Sequence, residues 1–94
     1  MQATKIEFDY DKEARNIGLI VGISEEIYFC SISHVSTVYV EYVGDEWMAW
    51  RETYLPHSNR LHSSKNIGRG NFELVMARTK NYLKYMKSLR RRIK

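Results

Sequence analysis

The chain has 94 residues, 44% hydrophobic and 13% aromatic with seven tyrosines, and a formal charge of +4. Such a chain makes one small domain with one modest core, burying ~60–65% of its unfolded surface. No apolar run nears the ~20 residues that cross a bilayer, Met1 is followed by polar residues, and Cys30 has no second cysteine to pair with, so no membrane contact, secretory signal or internal disulfide is expected. An intracellular setting, nuclear or cytoplasmic, follows as the expectation. Cys30 reads as a small buried hydrophobe, and His34, His57 and His62 offer no zinc spacing.

Charge is unevenly placed. Residues 1–59 hold four basic side chains against ten acids, whereas residues 60–94 hold eleven against Glu73 alone. Segregation of this kind predicts two surfaces with different partners.

Taken in order, residues 5–10 alternate, with Ile6, Phe8 and Tyr10 opposite Lys5, Glu7 and Asp9. That pattern predicts a strand with one wet face. Residues 11–16 read as a polar connection. Residues 17–23 form a short apolar run with two glycines, 24–26 a turn, and 27–33 a further strand with Tyr28, Cys30 and Ile32 on one side. Residues 37–56 predict a β-hairpin. Val38, Val40 and Tyr42 alternate with Tyr39, Glu41 and Val43, and Gly44-Asp45 suits a two-residue type II′ turn. The return strand runs to Leu55 and stops at Pro56, which has no N–H for a ladder. Trp47, Trp50 and Tyr54 also fit helical spacing; the hairpin is preferred.

Residues 17–56 resemble a Tudor domain, within the wider set of small barrels that includes chromo-barrels. The resemblance rests on Tyr28, Cys30, Ser31 and Ile32, then Val38, Val40 and Tyr42, then Gly44, Asp45, Leu55 and Pro56. It implies a barrel that binds without catalysis, in many cases holding methylated lysine or arginine in an aromatic cage by cation–π attraction. Tyr28 and Tyr42 match two cage positions. Asp45 stands where a ring often sits, with Trp47 close enough to substitute and Asp45 or Glu46 able to pair with the cation. The first loop has no aromatic. The alternative is that Tyr28 and Tyr42 simply pack across strands.

Residues 57–70 are rich in Ser, Asn, Gly and His and read as a loop, with Lys65 and Arg69 near glycines as a phosphate-loop candidate that lacks P-loop spacing. Residues 71–94 read as a helix. Asn71 is a good N-cap, Glu73 complements the dipole in the first turn, and Phe72, Val75, Met76, Thr79, Leu83 and Met86 recur at helical spacing. Arg78, Lys80, Lys84, Lys87, Arg90, Arg91, Arg92 and Lys94 make it basic along its length, with Tyr82 and Tyr85 interleaved. This is the electrostatic footprint of nucleic acid or an acidic protein partner. The apolar positions also approach a heptad, so a homodimer through this helix is a further expectation.

The expected fold is therefore α+β: an antiparallel β-meander or Tudor-like barrel of four to five strands over residues 1–56, then a loop, then a long basic C-terminal helix packed on the sheet. No catalytic triad, nucleotide fingerprint or metal-ligand cluster is present in the sequence, so neither an enzyme nor a cofactor is expected. The expected function is a binding module. Its helix would hold nucleic acid or an acidic partner, and its ring-bearing surface (Tyr28, Tyr42, Trp47, Asp45) a protein ligand, methylated or plain. The alternative is a small regulator or inhibitor of viral type that blocks a host protein through its acidic hairpin.

Overall fold

The computed structural model describes residues 8–58 and 60–93, with the side chains of residues 90–93 outside that description. Helix α1 spans Tyr10–Asn16, strands β1 to β5 span Ile20–Ile23, Ile27–Ser31, Ser36–Val43, Glu46–Tyr54 and Leu61–Gly70, and helix α2 spans Phe72–Ile93. The strands pair in chain order, β1-β2-β3-β4-β5, all antiparallel. This is the α+β fold with a meander and a C-terminal helix. The sheet is open rather than closed into a barrel: β1 and β5 are its edges. One face is covered by α2, which packs mainly on β5 and β4. A helix lid buries that face without the sheet having to curl on itself.

The first element departs from its alternating pattern. Residues 5–7 of the expected strand lie outside the described residues, and Tyr10 opens a helix. Asp9 caps it, its carboxylate accepting from the Lys12 N–H at 3.0 Å. Asp11 and Glu13 in the first turn and Arg15 in the last suit the helix dipole. Gly18, at φ +102°, follows the helix and donates its N–H to the Arg15 carbonyl at 3.0 Å. The expected polar connection is thus α1, and its Ala14 is fully buried.

The hairpin forms as expected. Eight cross-strand pairs join β3 and β4, from Ser36↔Thr53 to Val43↔Glu46, which rules out a helix over Trp47 and Tyr54. Gly44 takes φ +70° and Asp45 keeps a negative φ, the pattern of a type II′ turn.

Residues 61–70, expected as part of a loop, are corrected to strand β5, while residues 57, 58 and 60 lie outside any strand as expected. Leu55 closes on Arg60 through an N–H to carbonyl bond of 3.0 Å, and His57 turns the chain at φ +60°. Leu61–Gly70 then pairs with β4 along its length, with bulges between Ala49 and Trp50 and between Thr53 and Tyr54. Lys65 and Arg69 therefore sit on a strand, not on a phosphate loop. Ladder hydrogen bonds hold this segment, since its side chains have little intrinsic strand preference.

The core lies between α2 and the sheet: Tyr28, Val40, Trp47, Ala49, Phe72, Val75 and Met76, closed at one end by Ala14 and Leu19. Small residues let the helix approach. Buried Gly68 faces Ala49, and a Cβ added there would stand 2.9 Å from the Arg78 stem. Asn71 caps α2, its side-chain oxygen accepting from the Leu74 N–H at 2.8 Å.

Candidate nucleic-acid interface

The predicted ring surface is mostly core. Trp47, only 6% exposed, is a hub, with the rings of Phe72, Tyr42, Tyr10 and Tyr28 at 5.0, 5.2, 5.8 and 5.9 Å from its own. Tyr28 is fully buried and stacks on Trp47 at 16°. Its hydroxyl donates to Asp11 at 2.7 Å and accepts from the Glu25 N–H. A cage needs free ring faces, and here the faces of Tyr28 and Trp47 are filled by the protein's own rings. Only Tyr42, 45% exposed, and Asp45 in the turn remain at the surface. The cage expected from Tyr28, Tyr42, Trp47 and Asp45 is thus corrected to an aromatic core cluster with Tyr42 at its rim.

The Tyr28–Asp11 pair shapes the titration of this corner. Burial, and then the bond to Asp11, push the Tyr28 hydroxyl well above the usual phenol range. Bonds from the Ser24 hydroxyl at 2.6 Å and from Tyr28 hold the Asp11 carboxyl below its usual value. Burial likewise raises the Cys30 thiol, with Lys87 pulling the other way. Cys30 is half-buried and free, as a small hydrophobe.

The basic side chains of α2 divide between its flanks. Val75 and Thr79 are fully buried and Phe72 and Met76 nearly so, against the chain's own sheet. The first four of the positions that approach a heptad are thus used within one chain, while Leu83 and Met86 are half-buried. Lys80, Lys84 and Lys87, spaced four and three, form an exposed ridge on one side of that stripe. Arg78 lies on the other, where it meets Lys65 of β5 in a groove with Asn81, Tyr82 and Tyr85. The helix backbone carries Arg90, Arg91 and Arg92; their side chains, and Lys94 altogether, lie outside the described residues.

One further basic residue on this side carries no mark in the sequence pattern. Arg51 of β4 stands directly across from Val38 on one side and Lys65 on the other, so it shares the α2 face of the sheet. Its Nη1 donates to the Tyr82 hydroxyl at 3.0 Å, while its buried Nε has no partner. In the sequence Arg51 is an ordinary polar strand position. That Lys65 stands opposite it becomes visible only once residues 61–70 are known to be a strand.

Among the described residues one salt bridge forms, Arg69 to Glu46, and it lies on the other face of the sheet. Among them also, no cluster of histidine, cysteine and acids could hold a metal ion, and no helix is long and apolar enough to cross a membrane. No family model, curated protein or solved structure matches the chain.

Proposed function

We propose that the protein is a non-catalytic binding module that holds nucleic acid through the basic flanks of α2. The observation that carries this reading is the state of its charges. Arg78, Lys80, Lys84 and Lys87 are exposed, and none makes a salt bridge with a carboxylate among the described residues. A cation at a helix C-terminus is favourable on its own account, but Arg78 and Lys80 lie in the first half of the helix, where the dipole gives them no reward. Unpaired cations along a rigid rod release counterions when phosphates replace the salt atmosphere, and that release drives binding.

The test is fluorescence anisotropy of a labelled oligonucleotide across a salt series. Affinity is expected to fall linearly on log–log axes. Lys80, Lys84 and Lys87 changed together to Ala should lower affinity for all sequences alike and flatten the slope by about 2, at ~0.7–0.9 per phosphate contact. Binding that ignores salt, or that is untouched in the triple variant, removes the assignment.

A further inference from the structure

The groove between β5 and α2 is lined by the cations Lys65 and Arg78, and Arg51 stands behind it, bonded to the lining residue Tyr82. Arg51 and Lys65 face each other directly across two strands, an arrangement of like charges that weakens a sheet. Arg78 adds a third cation, its stem laid over Gly68. A half-buried guanidinium normally finds a carboxylate, because losing water without a counter-charge is costly. Arg51 has found only a tyrosine hydroxyl, and its Nε, shielded from solvent, donates to nothing. The Tyr82 hydroxyl accepts from Arg51 and keeps its own proton to give.

Beside these cations stands Tyr85, 57% exposed and three residues along the helix from Tyr82. It shares the groove with the Asn81 side-chain amide. Cations that track a backbone, an open ring for a π-face and an amide for base edges form the combination that suits unpaired nucleic acid. In a duplex the base faces are already stacked and cannot meet a tyrosine ring.

We propose that this groove seats single-stranded nucleic acid, with a phosphate on Lys65 and Arg78, Arg51 behind them through its bond to Tyr82, and a base stacked on Tyr85. The proposal rests on the nucleic-acid reading of α2 and adds to it a single-strand site on the flank opposite the Lys80, Lys84 and Lys87 ridge.

Anisotropy of the full chain with labelled oligothymidylate and with a duplex of equal length, at one fixed salt, tests it. Wild-type protein should prefer the single strand. Tyr85→Ala, at an exposed position where folding is not at stake, should weaken single-strand binding roughly five- to a hundredfold and leave duplex binding as it was. Arg51→Gln should weaken the single strand too, with Arg78→Ala as the parallel variant on an exposed side chain. Equal affinity for both forms, or a Tyr85→Ala variant that binds the single strand normally, overturns the groove assignment while the helix reading survives. No binding to either form at low salt overturns both.

Discussion

On the open face of the sheet, Glu46 takes Arg69 through its Nε at 3.0 Å, and Glu52 takes both the Trp50 indole N–H at 3.0 Å and the Tyr54 hydroxyl. On the α2 face, one residue away along the same strands, Arg51 and Lys65 face each other with no carboxylate between them. Alternation along a strand gives both faces the same backbone and the same neighbours, so the contrast comes from side-chain chemistry alone. Two open-face carboxylates have partners within the chain, Glu46 in the Arg69 guanidinium and Glu52 in the Trp50 and Tyr54 donors. On the helix side the half-buried Arg51 has no carboxylate, and such a charge is a cost to the fold that a ligand would offset. The bond to Glu52 also raises the Tyr54 hydroxyl to about 12.

Three substitutions sharpen the comparison. The largest effect is expected at the hub of the helix face. Trp47→Ala removes the ring that four others contact and should cost ~3–5 kcal/mol in urea unfolding. A loss under 1 kcal/mol would mean that the ring cluster does not hold α2 to the sheet.

A smaller effect, with a pH signature, is expected of Tyr28→Phe, about 1 kcal/mol near neutrality for the lost hydrogen bond. The phenol is raised in the folded state, so its contribution is complete below the unfolded value near 10 and fades as pH climbs above it. Asp11 is lowered, so its contribution is complete above about 3.8 and fades as pH falls through the folded value. Wild-type stability should therefore sag at both extremes, and Tyr28→Phe should flatten the alkaline limb while keeping part of the acid one. Parallel alkaline limbs in the two proteins would show that the Tyr28–Asp11 bond does not shape the profile.

The smallest effect is expected on the open face. Arg69→Ala breaks an exposed pair and should cost ~0.2–1 kcal/mol, less again in high salt. A loss of several kcal/mol would erase the distinction between an ordinary surface bridge and the core on the other side.

Much of this fold can be read from residues alone, and the exceptions are specific. The β3–β4 hairpin announces itself by alternation and by Gly44-Asp45, and α2 by its Asn71 cap and apolar spacing. Helix α1 is masked because the alternation of Ile6, Phe8 and Tyr10 runs straight into its cap at Asp9. Strand β5 is masked because LHSSKNIGRG has just two large apolar side chains, Leu61 and Ile67, and is ordered by its ladder to β4. The same gap hid half of the groove. Once Lys65 is placed in a loop, nothing in the sequence brings it opposite Arg51. The rings failed for a different reason. Residue type marks Tyr28 and Trp47 as aromatic, but only packing decides whether a ring faces a ligand or another ring.

The most direct measurement is an NMR shift map of the chain titrated with oligothymidylate. The account predicts movement at Lys65, Arg78 and Tyr85 and at the Arg51 Nε–H, with the Trp50 indole N–H and the neighbours of Tyr39 and Glu52 unmoved. Shifts concentrated on Tyr39 and Trp50, with the α2 flank silent, would contradict it.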